Sequence, residues 1–135
     1  MKILLDSTVL VDLLRANLEV RTRLDQLRGE GAEFYTSTLN LYEARCGLSI
    51  SHHSSAKQAA ALAGVQSELD VLPFDEESAR HAAVIYGQLR SIGKCADGLD
   101  HLIAGTIVSN GIDAVLTRNK KHFENIREIK QVLTY

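Results

Sequence analysis

The chain has 135 residues, 45% hydrophobic and 24% charged, with a formal net charge of −2. That length can bury a core without disulfide or metal staples, and the near-neutral balance excludes a global basic field for holding nucleic acid. No apolar stretch approaches the ~20 residues of a membrane span, and Cys46 and Cys95 make neither a disulfide framework nor paired metal-ligand spacing. The N-terminus also lacks a signal peptide's cleavage pattern. The expectation is one domain over residues 1–135, reduced and cytoplasmic.

Ile3, Leu4 and Leu5 form a short apolar run, which suits a strand buried on both faces of a parallel sheet. The run stops at Asp6, and Ser7 and Thr8 lead into a helical pattern over 8–16. Asn17 caps a second helix carrying Val20, Leu24 and Leu27 and stopping at Gly29 or Gly31. Phe34-Tyr35-Thr36 reads as a strand, and Ser37 or Thr38 caps a helix to about residue 49. A polar break over 51–55, with His52 and His53, precedes an alanine-rich helix over 56–69. Residues 71–74 read as a strand, with Pro73 placing it at a sheet edge or at its own end.

Asp75 caps a helix over 76–92, with Ala79, Ala82, Ala83, Tyr86 and Leu89 expected on its inner side. A loop over 91–94 follows, and Asp97 starts a helix ending at Asn110 and Gly111, the latter in the left-handed position after a helix end. Residues 114–117 read as a buried strand, 120–123 as one helical turn, and 129–133 as a final strand. Strands alternating with helices predict an α/β sandwich around a mainly parallel sheet.

Charged residues stand where apolar ones belong. In the helix opening at Thr38 the expected apolar stripe is Leu39, Tyr42, Cys46 and Ile50, and Glu43 lies along it. In the helix after Asp97, Asp100 shares the face of Ile103, Ala104 and Ile107. A carboxylate at a central strand end, as at Asp6, faces the crevice where open α/β sheets bind ligands. Each residue also has a plainer reading: Asp6 or Ser7 as a helix cap, Glu43 and Asp100 at the wet edge of a stripe. If the three converge, they repel one another unless a cation neutralises them, and oxygen-only ligands favour Mg²⁺ or Mn²⁺. Asp97, one turn before Asp100, is either a cap or an outer member of that set. A basic segment with Arg118, Lys120, Lys121, Arg127 and Lys130 is either an RNA-holding patch or a solvated surface. No glycine-rich phosphate loop and no Gly-x-Ser-x-Gly elbow occurs.

Ile3-Leu4-Leu5-Asp6-Ser7-Thr8-Val9-Leu10 resembles the opening strand of the PIN-domain nucleases. Ser37-Thr38-Leu39-Asn40-Leu41-Tyr42-Glu43-Ala44-Arg45-Cys46-Gly47 resembles their second motif, and Gly98-Leu99-Asp100-His101-Leu102-Ile103-Ala104-Gly105 their third. Leu116-Thr117-Arg118-Asn119-Lys120-Lys121-His122-Phe123 resembles the fourth, and the set covers essentially the whole chain. The compact length is similar to that of VapC-type toxins. The resemblance implies a three-layer α/β/α fold and a metal-dependent endoribonuclease, often acting on transfer RNA, usually dimeric and neutralised by a small cognate antitoxin. It implies Asp6, Glu43 and Asp100 as catalytic metal ligands for Mg²⁺ or Mn²⁺, with Thr117 and Asn119 in support. Two positions depart from the pattern: Ser7 replaces a common Thr, and Asn119 replaces a common fourth Asp, so a second metal ion should bind more weakly. A homodimer is expected, because small and apolar residues of the N-terminal helices and of 56–69 exceed what one core needs. The alternative is a catalytically silent PIN-like subunit that tethers a DNA-binding, antitoxin-type partner.

Overall fold

The computed structural model describes residues 1–50, 55–94 and 98–135. Residues 51–54 of the expected polar break, with His52 and His53, lie outside those residues, as do Cys95 and Asp97, while Ser55 opens a helix. Strands β1 (Lys2–Leu5), β2 (Glu33–Ser37), β3 (Asp70–Leu72), β4 (Ala114–Leu116) and β5 (Val132–Leu133) form one sheet in the order β3-β2-β1-β4-β5. Every pairing is parallel, with Leu5 opposite Leu116 across β1 and β4. The helices are α1 (Ser7–Leu14), α2 (Leu18–Gly29), α3 (Thr38–Ile50), α4 (Ser55–Ser67), α5 (Glu76–Ser91) and α6 (Asp100–Ser109), and a 3₁₀ turn spans Lys120–His122.

Alternation along β1 builds the layers. Ile3 and Leu5 pack with Val9, Leu24, Leu41 and Leu62 from α1 to α4, whereas Leu4 packs with Ile85, Leu89, Ile103 and Ile107 from α5 and α6. Helices therefore cover both faces of the parallel sheet, the three-layer α/β/α architecture expected. The chain moves outward from β1 through β2 to β3, then crosses back to place β4 on the other side of β1. The strand order reverses between β1 and β4, and a crevice opens there beyond the strand ends. Among the described residues, no helix is long and apolar enough to cross a membrane.

Three expectations about faces and ends are corrected. On α3 the inward residues are Asn40, Leu41 and Ala44, while Tyr42 is 60% exposed and Ile50 76% exposed. Asn40 bonds to Ser37 and Asp6, which fixes the helix's facing; Tyr42, about 200° further round, must then point outward. On α5 the buried residues are Ser78, Ala82, Ile85 and Leu89, whereas Ala79, Ala83 and Tyr86 are exposed. Ser78 can be buried because its hydroxyl bonds to Asp75 and Ser109, each at 2.9 Å. Finally, β5 is shorter than expected, because Ile126 and Ile129 sit in turns and fill the α5–α6 core.

Candidate active site

Asp6 follows β1 directly, and its backbone N–H donates to Leu116 O at 3.0 Å, which puts it on the β1–β4 crevice. It occupies the residue before the first turn of α1, yet its side chain accepts no N–H from that turn. The residue is 3% exposed, and its carboxylate is held by three other donors. Thr117 Oγ1 and Thr8 Oγ1 donate to Oδ2 at 2.8 and 3.1 Å, and Asn40 Nδ2 donates to Oδ1 at 3.1 Å. The capping alternative for its carboxylate therefore fails.

Glu43 and Asp100 reach the same region from α3 and α6. Ser7 Oγ donates to Glu43 Oε1 at 3.0 Å, and His122 Nδ1 stands 3.3 Å from Asp100 Oδ1. Burial pushes the Glu43 carboxyl above its ordinary range; the Ser7 hydrogen bond opposes this, the charges of Asp6 and Asp100 add to it, and His122 opposes it. Burial likewise raises Asp100, with His122 pulling back and Asp6 adding to the rise. The three carboxylates thus lie within one another's fields. Desolvation is the largest cause in both cases, so the site favours a cation or a proton.

Among the described residues, no three His, Cys, Asp or Glu side chains are grouped tightly enough to be a preformed ion cage. The donor set nevertheless fits a hard divalent cation. It consists of half-buried and buried carboxylates with surplus negative charge, beside hydroxyls and an amide that already orient Asp6. A separate cleft, lined by apolar residues such as Leu24 and Phe34 and by charged ones such as Arg21, Asp25 and Arg28, contains none of the three.

The other expected residues divide. Thr117 is buried on Asp6, and the Asn119 backbone N–H donates to Thr117 Oγ1 at 3.1 Å. Lys120 and Lys121 are exposed on the 3₁₀ turn. Arg118 is engaged elsewhere: its Nη1 lies 2.8 and 3.0 Å from the two carboxylate oxygens of buried Asp12, and its backbone N–H donates to Thr8 Oγ1 at 3.0 Å. Thr8, Asn40 and His122 have no role assigned from sequence pattern. Asn40 carries a usable signal, a polar residue three after Ser37 in the first turn of an otherwise core-facing helix. His122 carries none, since only the fold brings it to Asp100.

A family model for the PIN domain matches residues 3–129. The chain is 32% identical over 127 residues to "Ribonuclease VapC1" of Methanocaldococcus jannaschii, covering 94% of this chain and 82% of that protein. It also superposes on a DNA-bound VapBC structure from Salmonella typhimurium with a TM-score of 0.84 and 26% identity, covering 99% of this chain and 98% of that one. VapBC2 of Rickettsia felis, bound to a promoter DNA fragment, shares the fold at a TM-score of 0.87 and 19% identity, covering 100% of this chain and 99% of that one. With a match over nearly its whole length and acidic residues at the end of β1 and on α3 and α6, the chain belongs to the PIN-domain family.

Proposed function

We propose that the protein is a Mg²⁺- or Mn²⁺-dependent endoribonuclease of VapC type, a single nuclease domain that hydrolyses RNA and is neutralised by a cognate antitoxin. The carrying observation is the set of Asp6, Glu43 and Asp100, mutually repelling and desolvated at the strand-order reversal. Support for the substrate class comes from the relative named a ribonuclease, and for the partner from neighbours crystallised as VapBC assemblies.

When bound, the divalent cation supplies positive charge to the scissile phosphate and makes an attacking water more acidic. The chain's own residues do the positioning. Thr8 and Thr117 hold one oxygen of Asp6 and Asn40 the other, and Ser7 orients Glu43. Asp100 holds its charge one helix away, and Lys120 and Lys121 stand exposed where an RNA backbone can be held. Attack by water needs no 2′-hydroxyl, so the products carry 5′-phosphate and 3′-hydroxyl ends.

Purified protein incubated with RNA and Mg²⁺ or Mn²⁺ tests this directly. Cleavage with those end groups, abolished by Asp100→Asn, is the expected result. A folded protein that cleaves no RNA with either ion ends the reading and favours the silent binding subunit. We also infer a homodimer, supported by large apolar side chains left exposed on α3 (Tyr42, Ile50), on α5 (Val84) and just after α5 (Ile92). Light scattering at micromolar concentration checks it, and a monomer there counts against it.

A further inference from the structure

His122 closes the 3₁₀ turn that begins one residue after Asn119, and its side chain is 46% exposed. The turn is fixed by Phe123, which is buried in the α5–α6 core and whose ring lies 6.5 Å from the imidazole. Nδ1 is 3.3 Å from Asp100 Oδ1. Both atoms carry a lone pair that a cation placed between them could take up. Two ligand atoms each about 2.1 Å from one octahedral ion, at right angles, stand roughly 3.0 Å apart. The observed pair is within a few tenths of an ångström of that spacing.

We propose that His122 Nδ1 is a direct ligand of the divalent cation, completing a mixed set with Asp6, Glu43 and Asp100 that selects Mn²⁺ over Mg²⁺. This rests on the metal-dependent reading above. Asn119 occupies the position where the resemblance places a fourth carboxylate, so the chain is one negative charge short there, and an imidazole three residues on adds a nitrogen donor without restoring that charge. Imidazole nitrogen is a poor ligand for Mg²⁺, which holds to oxygen and water, and an acceptable one for Mn²⁺. Ligation through Nδ1 uses the neutral ring with its one proton on Nε2, and any proton displaced from Nδ1 by the cation leaves to solvent. Ligation by the neutral ring is then balanced.

The competing role is a counter-charge: His122 protonated on Asp100, standing in for the cation and excluding it. The two roles predict opposite signs. Calorimetry without RNA should measure Mn²⁺ and Mg²⁺ binding to wild type, His122→Phe and His122→Ala. Pulsed EPR of bound Mn²⁺ should look for coupling to a directly bound ¹⁴N. Wild type is expected to bind Mn²⁺ about tenfold more tightly than Mg²⁺ and to show that coupling. Both variants are expected to lose the coupling and about tenfold in Mn²⁺ affinity, with Mg²⁺ affinity changing less than about threefold. Should the variants fail to fold, the wild-type EPR spectrum alone decides. Absence of ¹⁴N coupling in Mn²⁺-loaded wild type, or tighter binding of both ions by the variants, overturns the proposal. If that same protein still cleaves RNA, the ribonuclease reading survives; if wild type binds neither ion and cleaves nothing, both fall.

Discussion

Asp6 and Asp100 both belong to the candidate site, but their surroundings treat substitution in opposite ways. Asp6 accepts from three donors in a buried setting, with Thr8 and Thr117 on one oxygen and Asn40 on the other. Asn at this position offers one acceptor where the carboxylate offers two, so at least one buried donor is stranded. Asp6→Asn should therefore lower stability by about 1–3 kcal/mol as well as abolish cleavage, read by urea unfolding. Asp100 is raised chiefly by burial, and His122 only partly offsets this. Asp100→Asn removes the cost of burying a charge and should raise the melting temperature in metal-free buffer, making it the cleaner inactive control. The pH dependence follows with a definite sign. Glu43 and Asp100 have folded-state values above their unfolded ones, so their contribution is present in full below the usual carboxylate range. It is lost as pH rises through the raised values. In EDTA the melting temperature should fall across that window, and Asp100→Asn should flatten the fall; an identical slope in the variant would remove Asp100 from the cluster. The sequence signals for the three acidic positions differ: Asp6 ends an apolar strand and Asp100 shares a face with Ile103, Ala104 and Ile107, whereas the stripe that singled out Glu43 includes Tyr42 and Ile50, both exposed. The donors that fix them were not legible, since Thr8 and Asn40 look like ordinary turn and cap residues until the sheet is folded.

Between elements, α6 approaches α5 closely at Gly105. A Cβ on Gly105 would overlap the Ser78 carbonyl oxygen and stand 2.7 Å from Ala82 Cβ. Both obstacles belong to a helix backbone or its first side-chain atom, so neither can swing away. Gly105→Ala should therefore push α6 off α5 and cost about 1–3 kcal/mol. Because Asp100 starts α6, cleavage should drop with stability. Unchanged stability by urea unfolding would mean that the two helices slide freely. The same contact explains what pattern reading could and could not obtain. Helix starts at Asn17 and Asp75 are encoded locally: Asn17 accepts from Val20 N at 3.2 Å and Asp75 from Ser78 N at 2.9 Å. Gly111, at φ 61°, ends α6 as its type and place suggest. Helix facing was less legible. Buried Ser78 and Asn40 are polar, whereas exposed Ala79, Ala83 and Tyr42 are not, and apolar periodicity therefore rotates both helices the wrong way. Tertiary hydrogen bonds decided the face.

On the scale of the whole molecule, the parallel sheet was foreseeable from short apolar strands separated by helices, but the strand order depends on which strands meet across more than a hundred residues. Asp12, Arg118 and Tyr135 show the same long reach, joining α1, the segment after β4 and the last residue of the chain. Arg118 Nη1 is 2.8 Å from Asp12 Oδ1, and Tyr135 Oη donates to Asp12 Oδ2 at 2.7 Å. The side chain of Asp12 is 3% exposed and that of Arg118 is 51% exposed. Breaking a buried pair costs about 3–5 kcal/mol, and solvent on the guanidinium side lowers this to roughly 2–4 kcal/mol for Arg118→Ala. Lys120 and Lys121 have no such partner among the described residues, so Lys120→Ala with Lys121→Ala should stay within about 0.5 kcal/mol of wild type. RNA binding should sort them the other way. Each lost phosphate contact reduces the slope of log affinity against log salt by about 0.7 on a single strand, so the double lysine variant should lose up to about 1.4. Arg118→Ala should keep the wild-type slope at temperatures where it remains folded, because its charge is committed to Asp12. A salt slope that falls in Arg118→Ala and not in the lysine variant would reverse the assignment. The guanidinium would then leave Asp12 for the phosphate backbone on binding.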